Sequence, residues 1–205
     1  MSGVLPELAA ADDPDLALVL RVQQGDAAAF EELYYRHQAG VSRMVANFVR
    51  YPEVVPDLVQ EIFAKVYLRF DSYSPRLPFR PWLYRVASNH CLDFLRHRRR
   101  QPLQVSTTME DDPTREWTLP DPAGERMQAR LVARDLAGKL LLELSPRDRM
   151  LLVLKEINEL SLEEIGAITG LRLSAVKVGL FRARKRMLEK YRKSERELER
   201  RGKPQ

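Results

Sequence analysis

Lys177, Phe181, Arg182 and Arg184 follow one another at helical spacing behind Ser174. Their chemistry suits a DNA duplex: cations for phosphates, with polar and apolar groups for base edges. A second group suits unpaired bases. Phe79, Trp82 and Tyr84 interleave with Arg76, Arg80 and Arg85, the mixture that stacks bases and neutralises the backbone beside them. The plainer reading, core packing, stands beside it and is preferred for Trp82, which has Leu83 and Val86 as neighbours. Asn89 adds an amide that can read a base edge or merely face solvent. The cluster Arg96, Arg98, Arg99 and Arg100 can hold phosphates, or can simply end a helix, where cations are favoured anyway.

Catalysis and metal binding find no support. His90 and Cys91 are sequence neighbours, but adjacent helical side chains point about 100° apart and no third orienting group is evident. The three histidines, His37, His90 and His97, lack ligand spacing except for the last two, which sit among arginines that oppose a cation. No glycine-rich phosphate loop is present. One cysteine permits no internal disulfide and no CxxC clamp. The reading is therefore a non-enzyme without cofactor or metal.

The elements that must position these groups are helices. Ser161 and Glu164 form a capping-box pattern, Leu162, Ile165 and Ile168 follow at helical spacing, and Gly170 ends the run. Ser174 is then expected to cap a helix whose Val176, Leu180, Ala183 and Met187 face inward. The pair is a helix-turn-helix, which packs by one side and enters a major groove by the other. Upstream, helical spacing predicts a helix from about Asp15 to Gly25, a long one over 27–50, one over 56–70 that leaves Asp57, Gln60, Glu61 and Lys65 outside, and one over 81–100. Residues 101–124 carry four prolines and Glu110-Asp-Asp112, and read as a flexible acidic linker. Helical pattern returns over 125–144, and Ser145-Pro146 starts a further helix.

The chain is thus expected to be all-α: a tail over 1–15, a domain over 16–100, the linker, a second domain over 125–190 and a charged tail over 191–205. Net charge is +5 across 205 residues, yet residues 171–205 hold 13 Lys and Arg against 4 Asp and Glu. The basic excess begins at the recognition helix, as a phosphate-binding element requires. No apolar run approaches about 18 residues and no signal peptide is evident, so cytoplasmic residence without membrane insertion is expected.

In order along the chain stand Phe30-Glu-Glu-Leu-Tyr, Asp57-Leu-Val-Gln-Glu-Ile-Phe, Arg80-Pro-Trp-Leu-Tyr-Arg-Val-Ala-Ser-Asn-His-Cys-Leu-Asp-Phe-Leu-Arg, Leu144-Ser-Pro-Arg-Asp-Arg and the helix-turn-helix. Their combination closely resembles bacterial RNA polymerase sigma factors of the extracytoplasmic-function group, over about residues 16–190. The resemblance implies a promoter-specificity subunit whose first domain has the sigma region 2 fold and whose second has the region 4 fold. It places core polymerase binding on Asp57, Gln60, Glu61 and Phe63, facing the clamp helices of the largest polymerase subunit. It assigns the single-stranded −10 element to Arg76, Phe79, Arg80, Asn89, Arg96, Arg98, Arg99 and Arg100, with Asn89 bordering a flipped-out base. The −35 duplex falls to Ser174, Lys177, Phe181, Arg182 and Arg184. Control by an anti-sigma factor is also implied, with the linker allowing the domain spacing to change. In the family the linker threads toward the polymerase active site, so the acidic run can occupy a nucleic-acid channel or serve as a plain tether.

Three positions depart from the family pattern. Val178 and Gly179 stand where a polar residue and an arginine are common, and Pro56 stands where a carboxylate is usual. Each lost base contact removes about 1–3 kcal/mol of discrimination, so weaker −35 reading is expected. Two other classes of function remain open on the residues alone: an autonomous helix-turn-helix regulator, and a sigma-mimicking interaction protein.

Overall fold

The structure is a computed structural model, and it describes residues 13–74, 77–100 and 136–201. All regular elements among the described residues are helical. In the first half these are α1 (Leu16–Gln23), α2 (Ala27–Phe48), α3 (Val55–Leu68) and α4 (Phe79–Arg100). In the second they are α5 over 136–142, α6 (Pro146–Leu152), a widened π turn (Val153–Ile157), α7 (Leu162–Thr169) and α8 (Leu173–Arg201). Arg76, the linker over 101–124 and the start of the second domain at 125 lie outside the described residues.

Local chemistry sets most boundaries. Gly25 turns the chain at φ 91, and Asp26 caps α2 by accepting from Ala29 N–H. One face of α2 then buries Ala29, Leu33, Val41, Met44, Val45 and Phe48, and Val49 goes extended ahead of Tyr51-Pro52. α3 starts at Val55 with Pro56 in its first turn, and buries Leu58, Val59, Ile62, Phe63 and Val66.

The start of α4 depends on a distant residue. It begins at Phe79, two residues before the expected Pro81, because Phe79 N–H donates to Asp13 Oδ2 at 2.6 Å. Next to Asp13, the buried Asp15 accepts from Arg36 at 2.7 Å and lies 2.7 Å from His37 Nε2. Burial alone would raise that carboxyl; His37 and Arg36 outweigh it and hold it below the ordinary value. Residues 13–15 are therefore stapled to α2 and α4 rather than being part of a tail.

The second half is organised around Arg149. Its buried guanidinium donates to the carbonyls of Leu141, Leu142 and Leu144, and to Phe48 O at the end of α2. These carbonyls cluster at helix C-termini, where a cation is favoured, and Leu141 O accepts from Leu144 N–H as well. Ser145 caps α6, Ser161 and Glu164 complete the capping box on α7, and Gly170 closes α7 at φ 71. α8 begins at Leu173, with Arg172 O accepting from Val176 N–H. Ser174 is thus inside the first turn and is not the cap. α8 also continues to Arg201 through the expected charged tail, because helix formers run unbroken until Gly202.

The two halves meet. α7 packs on α4, and the π turn packs on α2. A single cluster of buried side chains runs from Leu18 and Phe48 to Leu154, Ile165 and Ala183.

Candidate nucleic-acid interface

In the helix-turn-helix, Val176, Leu180 and Ala183 are buried, which fixes the rotation of α8. At 100° per residue the opposite side carries Ser174, Val178, Phe181, Arg182 and Lys185, with Lys177 on the edge it shares with Arg184, all exposed. Phe181 is 69% exposed, far too open to be a core residue. Val178, singled out in the sequence as a departure, stands in the middle of this face together with Lys185, which was not among the residues assigned to the −35 duplex. Arg184 sits off to one side, where its Nη2 pairs with Glu156 Oε1 at 2.6 Å. Gly179 is on the packed side: a Cβ there would come 2.7 Å from Leu151 Cδ1. A side chain at 179 would have to displace that Leu151 methyl, so position 179 borders the packed side, and the departure in the middle of the open face is Val178.

In the first domain, Asn89 and Arg85 are exposed on α4, while Tyr84 and His90 are buried. Phe79 is fully buried in an aromatic cluster with Phe70, Tyr73 and Trp82, with centroids 5.8–6.2 Å from it. It cannot stack on a base, and instead anchors the start of α4. Arg96 is exposed and paired with Asp93, whereas the Arg98 guanidinium lies 4.0 Å from the Tyr51 ring centroid. Arg98 is thereby held on the protein, a poorer phosphate ligand than Arg96. Arg99 and Arg100 occupy the last turn of α4. Arg80 Nη2 donates to Asn158 O at 2.7 Å, and its Nη1 stands 3.9 Å from Glu164 Oε1. Only the fold reveals that partner, 78 residues away.

The outer side of α3 exposes Asp57, Gln60 and Glu61, followed by Ala64, Tyr67 and Leu68. Phe63 points the other way: it is buried, with its ring 4.7 Å from Tyr34. It supports the helix and offers no surface to a partner. Leu68, at 79% exposure, is the apolar group this face presents in its place. Glu61 Oε2 also lies 2.7 Å from His90 Nε2, and Lys65 Nζ lies 2.5 Å from His90 Nδ1, which ties α3 to α4 beside Asn89. Burial and the Lys65 charge push the His90 pKa down. Cys91 is buried, its thiol pushed up to about 12 by desolvation, and so it is unreactive. Among the described residues no group of three or more His, Cys, Asp or Glu could hold a metal ion, and no helix is long and apolar enough to cross a membrane.

A helical domain with an exposed amide and cations on α4, followed by a helix-turn-helix with a cationic open face, has the make-up of a transcription factor. Comparison with known proteins gives the class its family. The model for Sigma-70 region 2 matches residues 33–101, and that for Sigma-70 region 4 matches residues 134–187. The ECF RNA polymerase sigma-E factor of Escherichia coli K12 is 33% identical over 177 residues, covering 83% of this chain and 90% of its own. The RNA polymerase sigma factor CarQ of Myxococcus xanthus is 31% identical over 169 residues, covering 82% and 92%. In fold, the chain is similar to CnrH, solved in complex with the cytosolic domain of CnrY, with a TM-score of 0.63 and 24% identity over 85% of this chain and 95% of that one. The sigma factor RpoE of Bartonella quintana, solved with the anti-sigma factor NepR, gives a TM-score of 0.59 and 20% identity over 78% and 94%.

The chain belongs to the extracytoplasmic-function sigma factors. It is a promoter-specificity factor for RNA polymerase and not an enzyme.

Proposed function

We propose that three surfaces divide the work of initiation. The outer side of α3, with Asp57, Gln60, Glu61, Tyr67 and Leu68, docks on core polymerase; a polar rim around an exposed apolar anchor is the composition of an energetic interface. Asn89 and Arg96, with Arg85 and Arg80, capture the unpaired −10 strand, the amide reading a base and the cations following the backbone. Ser174, Lys177, Val178, Phe181, Arg182 and Lys185 enter the −35 major groove. There Val178 and Phe181 suit thymine methyl groups, and the cations suit phosphates or guanine. Binding energy alone favours promoter opening.

The observation that carries this reading is the rotation of α8, which buries Val176, Leu180 and Ala183 and turns the cations and Phe181 outward. An anti-sigma factor is the proposed regulator, because CnrH and the Bartonella quintana factor were both solved with a partner chain, the latter named an anti-sigma factor. Cytoplasmic residence follows from partnership with polymerase and DNA.

The test is transcription by polymerase reconstituted with single variants. Leu68→Asp and Glu61→Arg should reduce capture of core polymerase at least tenfold. Lys177→Ala should leave capture intact while weakening −35 duplex binding and lowering its salt slope by about 1. Equal loss of both activities in every variant would refute the division into surfaces.

A further inference from the structure

The open side of α8 carries an apolar ridge. Ala175, Val178 and Phe181 follow one another at three-residue spacing and all three are exposed, Val178 to 47% and Phe181 to 69%. Such neighbours have Cβ atoms about 5–6 Å apart, so the three form one continuous row. Buried Val176, Leu180 and Ala183 fix the rotation of the helix and keep the row facing outward. Polar groups flank it on both sides. At 100° and about 1.5 Å per residue, Ser174 and Lys177 fall to one side of the row, Arg182 and Lys185 to the other. Among the described residues none of these three cations forms a salt bridge, whereas Arg184, Arg186 and Lys190 are tied to Glu156, Asp148 and Glu143.

A B-DNA major groove about 12 Å wide has a phosphate strand along each side. Cations on both sides of the row therefore suit a helix lying in it, with the row over the base edges. What the row can read follows from what it lacks. A base edge beneath it gives up water and receives no hydrogen bond in return. Guanine would leave N7 and O6 without donors, cytosine its N4 amino group without an acceptor, and adenine one group of each kind; an unpaired buried polar group is costly. Thymine alone presents a methyl group, with a single acceptor beside it, and gains from the contact. Successive base pairs rise by about 3.4 Å and the side chains of the row stand about 5–6 Å apart, so the row covers adjacent bases and not one.

We infer that Ala175, Val178 and Phe181 are a methyl reader, and that the −35 element of this factor carries two adjacent thymines on one strand, recognised by their 5-methyl groups. The inference rests on the proposed entry of α8 into the −35 groove, and adds to it the bases read and the manner of reading. Val178 and Phe181 lie over the two thymines, and Ala175 borders them. Arg182 and Lys185 hold one phosphate strand, Lys177 the other. Val178 then exchanges one kind of base contact for another, so the departure at 178 changes the preferred sequence more than the strength of binding.

The experiment uses core polymerase reconstituted with the full chain and, as probe, the promoter fragment that gives its strongest run-off transcript. Thymines of the −35 element are replaced one at a time, on each strand, by deoxyuridine, which removes the methyl and keeps every hydrogen-bonding group. At two adjacent positions on one strand each replacement should weaken binding about fourfold, and both together about fifteenfold, the value of one buried carbon each. The double variant Val178→Ser with Phe181→Ser should bind the thymine and uracil fragments alike, while Val178→Ile should keep the difference. These are surface changes, and circular dichroism matching the parent's will report that the variants fold. Equal affinity of the parent for thymine and uracil at every position would overturn the inference, as would a methyl preference that survives the double serine change. Lys177→Ala and Arg182→Ala separate it from the proposal beneath it. If they weaken binding of the fragment while methyl removal does not, the methyl reader fails alone; if they leave binding unchanged, α8 is not in the groove and both fail.

Discussion

Arg149 concentrates more of the fold than any other polar side chain, and replacing it with Met, which keeps much of the length but none of the donors, isolates its contribution. Arg149 is 7% exposed and has no carboxylate partner among the described residues; burial, aided by repulsion from Arg50, pushes its pKa down. It survives as a cation through four carbonyl bonds of 2.6–3.2 Å. Bonds to a charged donor contribute about 1.5–3 kcal/mol each, so the set amounts to about 6–12 kcal/mol before costs. Removing the ion also removes a desolvation penalty of several kcal/mol, which leaves a net destabilisation of about 3–5 kcal/mol for Arg149→Met. Lysine should rescue less than half of this, since one ammonium cannot span carbonyls placed for a planar fork. Urea unfolding followed by circular dichroism gives both values. A loss below about 1 kcal/mol for Met, or full stability with Lys, would refute the assignment of Arg149 as the joint clasp of α2, α5 and α6.

Two further outcomes follow from single contacts. Gly179→Ala should gain about 1 kcal/mol of helix propensity but meet Leu151 Cδ1, for a net loss of up to about 2 kcal/mol; with Leu151→Val the same change should stabilise by about 1 kcal/mol, as a double-mutant cycle in urea will read. The depressed pKa of Asp15 means its contribution is complete above the unfolded value of about 3.9 and disappears as pH falls through the lower native value, so the gap between parent and Asp15→Asn urea midpoints should be full at pH 6 and close toward pH 3.

What could be read in advance was local. The Ser161 and Glu164 box and the left-handed Gly170 each depend on residues within four positions, and the helical periods of α2 and α8 depend only on spacing. The roles of Phe63 and Phe79 depended on which way a ring points. An aromatic beside a cation looks alike whether it faces a base or joins Phe70, Tyr73 and Trp82 in a core. Arg149 stood in the sequence only as part of the Leu144-Ser-Pro-Arg-Asp-Arg motif, because its partners include Phe48 O, 101 residues away. Gly179 read as a gap in the recognition surface because Leu151 was not known to lie against it. The Arg80 and Asn158 bond joins two domains across a linker, a distance that no periodicity encodes. The open faces of α3 and α8 were legible in outline, since amphipathic spacing separates inside from outside and Val178 was already singled out, but Leu68 and Lys185 joined the candidate surfaces only when the buried residues fixed the rotation of each helix.

The most direct measurement is run-off transcription from genomic fragments by core polymerase reconstituted with this chain, with the 5′ ends sequenced. The account predicts starts at a defined set of promoters sharing two elements upstream, lost with Lys177→Ala or Asn89→Ala while core binding persists. Absence of factor-dependent transcripts, or starts with no shared upstream elements, would contradict it.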